Sequence, residues 1–414
     1  MPHWTAMETV VNPVLAPGVP AAAIVDLRAI EANVRVLREH AGDAAVLAVV
    51  KADAYGHGLI PVARAARRGG ATWVGTAQLD EAIALRDNGI DGRVFTWLQV
   101  PGADFAAALR RDIDLSAAAP WALTEIAVAA RSIGVPARVH LKIDTGLGRN
   151  GAYGAGIEEL ITEARRHESE GSVQVVGIWS HFAYADDPDH PTVRHQQEVF
   201  EDAVRLAEAA GCELEVRHLA NSAATLTNPS AQYDLVRPGL AVYGLSPVPQ
   251  LGDPAAYGLT PAMTLVARLA LVKDVPAGQG LSYAHRYVTS ADTKVGLVPM
   301  GYADGLPRSA SDAGPMVIGG RRYAVAGRVC MDQVVVDLGS DSMAQAGDLA
   351  VLFGPDSSSE PSAQDWAIAS GTISYEIVTR LGPRVQRSLP SPSSLSSGRL
   401  STGSGPSESS SPPI

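Results

Sequence analysis

The residues whose types could support catalysis fall at the ends of predicted strands. The clearest is Lys51, which ends the apolar run in "AVVKADAYGHG" and is followed at once by an aromatic residue, a histidine and two glycines. A partly buried amine has a lowered pKa and can attack a carbonyl carbon, so this position suits covalent attachment of a carbonyl cofactor. The alternative is a structural cation that extends to the rim of the fold.

Lysine is scarce in this chain, which adds weight to the functional interpretation of Lys51. Of 33 lysines and arginines, only four are lysines, and these are Lys51, Lys142, Lys273 and Lys294. A lysine that persists where arginine supplies nearly every other positive charge indicates a need for an amine.

Further polar residues follow later candidate strands. They are Lys142, Arg149, His181, Asn221, Ser222, Arg237 and Gly239. In an α/β barrel the C-terminal ends of the strands form one mouth, where active sites lie, so these side chains are expected to converge. The hydroxyl, amide and backbone N–H groups of "NSAAT" and "RPG" are ingredients of a phosphate site, although ordinary loop capping uses the same residues.

Eight apolar runs separated by helix-like segments predict the elements that position these residues. The runs are "VLAVVKA", "TWVGTA", "RVFTWL", "IDLSAAA", "ARVHLKID", "VVGIWSHFA", "EVRHLA" and "LAVYGL". Their alternation with helices over about 200 residues favours an eight-stranded α/β barrel over a doubly wound open sheet. We therefore expect a barrel over residues 26–254.

The sequence pattern changes after about Pro254. Strand-like segments separated by turn residues predict a mainly-β domain over residues 255–387. Residues 1–25 are expected to pack on this domain. The Ser/Pro-rich stretch 388–414 is expected to be disordered.

Composition narrows the class of protein. A net charge of −11, without a basic patch, argues against a nucleic-acid partner. No apolar stretch is long enough to span a bilayer, and the first residues lack the regions of a secretory signal. The two cysteines, Cys212 and Cys330, have no metal or redox spacing, so we expect a reduced, cytoplasmic protein.

Two more motifs have weak functional interpretations. "GLGRNG" matches the dinucleotide pattern G-x-G-x-x-G, but it lies mid-chain, so a tight loop that presents Arg149 is favoured. "HFAYADDPDH" gathers histidines and aspartates, yet an acidic solvated loop is favoured over a metal site. From sequence alone "LSYAHRY", "GYADG" and "VCMDQ" are turns.

Together these segments resemble the alanine racemase family from about Ala23 to Arg384. "AVVKADAYGHG" is similar to that family's cofactor-lysine motif, and "LKIDTGLGRNG", "SHFAYAD", "ANSAAT", "VRPGLAVYG", "GYADG", "VCMDQ" and "ISYEIVTRLGPRV" follow in the family's order. The resemblance implies an α/β barrel and a C-terminal β domain. It also implies a homodimeric pyridoxal phosphate enzyme that interconverts L- and D-alanine for peptidoglycan synthesis.

The resemblance also assigns roles to residues of this chain. Lys51 would carry the cofactor and act as one proton-transfer base, and Tyr283 of the partner subunit would be the second. Arg237 would face the pyridine nitrogen, with His181 positioned to hold it. The other cofactor contacts would be Tyr55, Asn221, Ser222, Gly239, Leu240 and Tyr375.

Substrate contacts follow from the same resemblance. Arg149 would contact the substrate carboxylate, and Lys142 stands at a position that is often carbamylated in the family, where an anionic group would orient Arg149. Tyr302 and Met331 would line the entrance to the partner's site, with Asp332 nearby.

Three other functions stay open at the level of sequence. A racemase of broader specificity, for serine for instance, depends on the pocket volume near Met331 and Tyr302. A non-catalytic pyridoxal phosphate-binding protein would need no second base at Tyr283. A fold-related decarboxylase is disfavoured because such enzymes typically place an acidic residue, rather than Arg237, at the ring nitrogen.

Overall fold

The computed structural model describes residues 15–16, 18–355 and 360–389. Its helices are α1 (Leu27–Ala41), α2 (Lys51–Gly56), α3 (Leu59–Gly69), α4 (Leu79–Asp87), α5 (Phe105–Leu109), α6 (Pro120–Ile133), α7 (Gly156–Ser169), α8 (Pro191–Ala209), α9 (Ser222–Thr227), α10 (Ala363–Ser370) and α11 (Ser374–Thr379). The expected disorder beyond residue 389, and residues 1–14 of the N-terminal segment, lie outside the described residues.

The strands fall into two groups along the chain. The first strand and those of the N-terminal half are β1 (Ala21–Val25), β2 (Ala45–Val49), β3 (Trp73–Thr76), β4 (Arg93–Thr96), β5 (Ile113–Ala117), β6 (Ala137–Lys142), β7 (Val173–Trp179), β8 (Val216–His218) and β9 (Leu235–Val236). The later strands are β10 (Met263–Arg268), β11 (Leu271–Val275), β12 (Gly280–Leu281), β13 (Tyr287–Val288), β14 (Thr293–Val298), β15 (Pro315–Ile318), β16 (Arg321–Ala324), β17 (Val334–Asp337), β18 (Leu349–Phe353) and β19 (Gln386–Ser388).

Strands β2 to β9 form the predicted eight-stranded α/β barrel. All of their ladders are parallel, in the order β8-β7-β6-β5-β4-β3-β2-β9. Between β8 and β9 the backbone N–H of Asp234 donates to Arg217 O at 3.2 Å and that of Arg237 to Ala220 O at 2.9 Å. These bonds nearly close the barrel.

The eighth barrel strand was predicted in the wrong place. "LAVYGL", residues 240–245, is not a strand, because Leu240–Tyr243 forms a 3-10 helix and the strand is the two-residue β9 just before it. All four residues of the 3-10 helix are buried. A short, fully apolar run fits a buried strand and a buried helical turn equally well.

A six-stranded sheet is the centre of the mainly-β part, in the order β16-β15-β18-β10-β1-β19. The N-terminal strand β1 lies inside this sheet, antiparallel to β10 and parallel to β19. A three-stranded sheet, β11-β14-β17, and the hairpin β12-β13 complete it. Among the described residues, none of the helices combines the length and the apolarity that a bilayer crossing needs.

Strand β6 carries a row of charged and imidazole side chains. Arg138, His140 and Lys142 alternate along β6, and alternate residues of a strand share one face. The ring of Phe95, on β4, packs 4.5 Å from the ring of His140. Lys142 is the last residue of β6, so it lies at the C-terminal end of the strand, where the mouth of the barrel is.

Candidate active site

Lys51 lies at the mouth of the barrel, directly after Val50, which follows β2. Its side chain is partly buried, and Nζ lies 6.0 Å from the ring centroid of Trp97. Burial lowers the pKa of this amine, the positive charge of Arg149 lowers it further, and Glu81 opposes both effects. A partly dehydrated amine with a lowered pKa is suited to attack a carbonyl and to exchange protons.

The short segment α2 is not an ordinary right-handed helix, because the four residues after Lys51 form a left-handed turn. Ala52, Asp53, Ala54 and Tyr55 have φ between 52° and 53°, a conformation that costs about 1–2 kcal/mol for each L-residue other than glycine. The turn is held by two contacts of Asp53, whose N–H donates to Glu81 Oε1 at 3.3 Å and whose Oδ1 accepts from Leu59 N–H at 2.8 Å.

This turn directs Tyr55 back beneath the mouth of the barrel. The Tyr55 ring lies 4.8 Å from that of Tyr243 and 6.1 Å from that of Tyr375, which α11 contributes from the β domain. Burial raises the pKa of Tyr55, and it raises that of Tyr375 to about 12. Both phenols therefore keep their protons and can donate hydrogen bonds.

Hydroxyl and backbone N–H groups converge beside Tyr55. Ser222 Oγ accepts from the N–H groups of Gly239 at 2.7 Å and Ala241 at 3.3 Å, and its own proton is left to donate. Leu240 begins a 3-10 helix, so its N–H has no acceptor within that helix. Asn221 caps α9, since its Oδ1 accepts from Ala224 N–H at 3.1 Å. The cluster suits an anion with several oxygens.

Gly239 is needed here because the Tyr55 hydroxyl approaches its backbone. A Cβ at position 239 would lie 2.5 Å from that oxygen. We expect Gly239→Ala to weaken binding of the cofactor that the sequence resemblance implies at least about tenfold, which corresponds to about 1.4 kcal/mol. Cofactor titration followed by absorbance measures the effect.

A double substitution provides the control for this prediction. Tyr55→Phe removes the clashing oxygen, so Gly239→Ala should cost less affinity in the Tyr55→Phe background than in the wild type. Equal costs in the two backgrounds would contradict the steric explanation.

Arg237 is buried between the barrel and the loop that follows β7. Its Nη2 donates to the backbone oxygens of Ser180 at 2.7 Å and Leu219 at 3.2 Å, and it lies 3.4 Å from His181 Nδ1. The guanidinium also lies 5.0 Å from the ring centroid of Trp179. Burial lowers the pKa of Arg237 to about 9, so the group stays charged at neutral pH.

Two further basic side chains, Lys142 and Arg149, lie at the mouth. The Lys142 amine is buried, 4.4 Å from the Trp179 ring centroid and 3.3 Å from Ile143 O. Burial and the neighbouring Arg237 charge hold its pKa well below the usual value. Arg149 is exposed on the loop after β6. Burial, followed by the charges of these cations and of Lys51, also holds the pKa of His181 well below its ordinary value.

The "GLGRNG" loop is folded around a carboxylate of this chain. Asp144 accepts from the backbone N–H groups of Gly146 at 2.9 Å, Gly148 at 3.1 Å and Arg149 at 3.0 Å. These donors are thus occupied, and the loop presents the Arg149 side chain. In the part of the chain that the structure covers, no group of three or more His, Cys, Asp and Glu side chains could hold a metal ion.

Four of the predicted residues form a second group on the β domain. Tyr283 is 67% exposed, Met331 52% and Tyr302 40%. The Tyr302 N–H donates to Cys330 O at 3.0 Å, and Arg384 pairs with Asp332 at 2.8 Å. Within residues 15–16, 18–355 and 360–389, no hydrogen bond, ion pair or ring contact joins Tyr283 to Lys51 or Arg149.

The predicted residues thus form two groups, one at the mouth of the barrel and one on the β domain. Sequence reasoning missed the polar residues beneath the mouth, namely Asp114, His140, Trp179 and His218. The signal was available in "ARVHLKID" and "EVRHLA", where a histidine stands among the apolar and charged residues of a predicted strand.

The architecture is that of a barrel enzyme that acts on small molecules, because its functional groups meet at the C-terminal ends of the strands. Residues 25–247 match the family model of the alanine racemase N-terminal domain, and residues 262–389 match that of the C-terminal domain. The chain therefore belongs to the alanine racemase family and is an isomerase that acts on amino acids.

Individual relatives agree with this assignment. The chain is 58% identical over 367 residues to an alanine racemase of Frankia casuarinae, covering 89% of this chain and 95% of that protein. It is 59% identical over 370 residues to one of Beutenbergia cavernae, covering 89% and 97%. The crystal structure of alanine racemase from D-cycloserine producing Streptomyces lavendulae is similar with a TM-score of 0.89 and 54% identity, covering 91% of this chain and 98% of that chain.

Proposed function

We propose that this chain interconverts L- and D-alanine with pyridoxal phosphate bound at the mouth of the barrel and with two bases, Lys51 and Tyr283 of a partner subunit. The observation that carries the proposal is the partly buried Lys51 amine, which lies beside the other basic side chains of the mouth and a cluster of hydrogen-bond donors suited to an anion. Family membership supports the reaction and the cofactor.

The residues present fit pyridoxal phosphate. Lys51 supplies the amine for its carbonyl, and the cluster around Ser222 supplies donors for its phosphate. The close approach of Tyr55 to Gly239 leaves no room there for a side chain. When bound, the cofactor makes the α-proton of an amino acid acidic by drawing electron density into its ring.

Two bases with similar proton affinity suit a racemase. An amine and a phenol have reference pKa values of about 10, so each can remove or return the α-proton. Lys51 would serve one face of the substrate. The exposed Tyr283 would serve the other face, in the site of the partner subunit.

The backbone around Tyr283 supports this outward role. Ser282, Ala284 and His285 all have positive φ values, 59°, 59° and 46°. Non-glycine residues adopt this conformation at a cost, and such strain concentrates at functional sites. The strained turn holds the Tyr283 ring away from its own domain.

Arg149 and Lys142 would set the position of the substrate. The Arg149 guanidinium suits a bidentate contact with the substrate carboxylate. The Lys142 amine has a strongly lowered pKa and is suited to react with carbon dioxide, giving a carbamate and releasing a proton. The carbamate would place an anion where the neutral amine stands, and that anion would pair with Arg149.

The reaction is tested with purified protein, pyridoxal phosphate and a panel of single-enantiomer amino acids, resolved by chiral chromatography. We expect both alanine enantiomers to reach the same near-equal mixture. A faster reaction with serine would show broader specificity, and cofactor binding without racemisation of any amino acid would contradict the proposed function.

Sharing of sites between subunits gives a separate prediction. Lys51→Ala and Tyr283→Phe chains should each be inactive, but mixing them should restore up to roughly a quarter of wild-type activity, because half of the dimers are mixed and each has one intact site. Racemisation is measured after subunit exchange, which native mass spectrometry verifies. Verified exchange without activity would contradict the shared site.

We further propose that the protein works in the cytoplasm and that its D-alanine supplies peptidoglycan synthesis. Both cysteines, Cys212 and Cys330, are free thiols, which suits a reducing compartment. Rescue of growth of a bacterial strain that requires D-alanine tests the biosynthetic role, and failure of an active enzyme to restore growth would contradict it.

A further inference from the structure

A continuous chain of buried polar side chains runs from the mouth of the barrel into its interior. Arg237 Nη1 lies 3.3 Å from His218 Nδ1, His218 Nε2 lies 2.9 Å from His140 Nδ1, and His140 Nε2 lies 3.4 Å from Asp114 Oδ2. All four side chains are buried. The proposed chemistry uses only the first of them.

The donor chemistry of arginine fixes the direction of every hydrogen bond in this chain. A guanidinium only donates, so His218 Nδ1 must accept. A neutral imidazole carries its single proton on the other nitrogen, so His218 donates from Nε2 to His140. His140 Nδ1 therefore accepts, and His140 donates from Nε2 to Asp114. The chain ends at a carboxylate.

The charge states agree with this direction. Burial lowers the pKa of His140 and holds that of His218 well below its ordinary value, so both imidazoles are neutral. Burial alone would raise the pKa of Asp114, but its contacts with His140 and Arg138 outweigh that effect and lower it. Asp114 is therefore the ionised end of the chain.

Two features hold Asp114 and His140 in place. Arg138 Nε donates to Asp114 Oδ1 at 3.1 Å and to Oδ2 at 3.2 Å, while its Nη atoms each contact Glu215 at 2.7 Å. Gly177 faces the His140 ring, and a Cβ at that position would lie 2.4 Å from His140 Nδ1. The ring occupies space that only a glycine leaves open.

We propose that Asp114 is a positioning residue for the reaction, because its carboxylate acts through His140 and His218 to fix the nitrogen that accepts from Arg237. This inference rests on the proposed place of Arg237 at the ring nitrogen of the cofactor. In the described part of the chain, no carboxylate lies within ion-pair distance of Arg237. Asp114 supplies that charge across two imidazoles and leaves no acid beside the ring.

Asp114 prevents His140 from adopting the other tautomer, which is protonated on Nδ1. If His140 carried its proton on Nδ1, His218 would have to accept at Nε2 and would carry its own proton on Nδ1. That proton would face an N–H of Arg237, and two donors cannot bond. Arg237 would then lose an acceptor and its fixed orientation.

The tautomers are measurable in the wild-type holoenzyme. Nitrogen-15 NMR of histidine-labelled protein should show a protonated Nε2 and an unprotonated Nδ1 for both His140 and His218, with signals assigned by their loss in His140→Gln and His218→Gln. A proton on His218 Nδ1 would overturn the proposal. This measurement does not require racemisation. An inactive enzyme would contradict the proposed function, but the hydrogen bonds from Arg237 to Asp114 could still be tested.

The kinetic test replaces the carboxylate by an amide. Asp114→Asn should shift the His140 Nε2 proton resonance upfield and lower kcat about tenfold with KM little changed, less than the ~10⁴-fold loss when an aspartate orients a catalytic histidine directly. Asp234→Asn, which alters another aspartate–arginine pair of the barrel, is the matched control. An unchanged kcat in Asp114→Asn, or an equal loss in the control, would overturn the proposal. If Asp114→Asn does not fold, the wild-type tautomers decide.

Discussion

Lys51→Arg should lower kcat/KM for alanine at least about 10⁴-fold, because arginine keeps the charge but can neither attack a carbonyl nor exchange a proton at neutral pH. The substitution tests the amine rather than the charge, since Arg149 and Glu81 would still face a cation at position 51. Racemisation assays over long incubations measure the residual rate.

A matched control and a chemical label sharpen this test. Lys273→Arg, at an exposed position of β11, should leave racemisation unchanged. Borohydride reduction of the wild-type holoenzyme followed by peptide mapping should place the pyridoxyl group on Lys51. A label on Lys142, Lys273 or Lys294 would contradict the assignment of the whole site.

Arg237→Glu should lower the racemisation rate at least about 10²-fold, or about 2.7 kcal/mol, and should raise the amount of transamination per racemisation event. At its proposed place beside the cofactor's ring nitrogen, arginine would donate a hydrogen bond and keep its proton, whereas a carboxylate would favour a protonated ring nitrogen. A protonated ring would withdraw charge more strongly, so the α-proton would return more slowly. Pyruvate release measured beside racemisation gives the ratio.

Arg237→Lys is the control for this prediction, because it removes the planar contacts with the Ser180 and Leu219 carbonyls but keeps a cation near the ring. It should lower the rate without raising transamination. If Arg237 only braces the loop, both variants would lose cofactor affinity and neither would transaminate more, and the proposed control of the reaction would be wrong.

The Arg237→Glu variant would also reverse the direction of the hydrogen bonds among the buried side chains of the barrel. It would place an acceptor at the position from which Arg237 now donates to His218 Nδ1. His218 would then have to donate from Nδ1, and His140 would face Asp114 with an unprotonated nitrogen. Two acceptors would meet, so we attribute part of the expected loss of activity to this conflict.

The sequence predicted those features that depend on residues close together along the chain. Lys51, its flanking aromatic residue and its glycines are contiguous, and seven of the eight barrel strands could be read from apolar runs. The eighth failed because Leu240–Tyr243 is as apolar as a strand but turns as a 3-10 helix. Pattern alone cannot separate these outcomes in a four-residue run.

The hydrogen-bonded chain of buried side chains from Arg237 to Asp114 could not be predicted, because its members are far apart in the sequence. His140 and His218 are 78 positions apart, and His140 and Asp114 are 26 apart. Their contact requires the register of the barrel strands and the missing side chain at Gly177. A single histidine in an apolar strand predicts burial, but it does not indicate which residue satisfies its nitrogens.

The left-handed turn after Lys51 links the two domains. Arg387, the middle residue of β19, donates to Gly56 O at 2.9 Å. It also donates to the carbonyl oxygens of Leu381, Gly382 and Val385. A Cβ on Gly56 would lie 2.4 Å from Val378 O. The β domain thus supports the strained segment that directs Tyr55, besides supplying Tyr375.

The place of β1 has a consequence for the order of events on the ribosome. This strand is synthesised before every barrel strand, yet its ladder partners β10 and β19 begin at Met263 and Gln386. The barrel can therefore form first, while β1 stays unpaired until β10, which begins at Met263, has been synthesised. Only the arrival of β19 completes the sheet and brings Arg387 to the Lys51 turn, so the proposed cofactor site gains its last support after residue 387 has been synthesised.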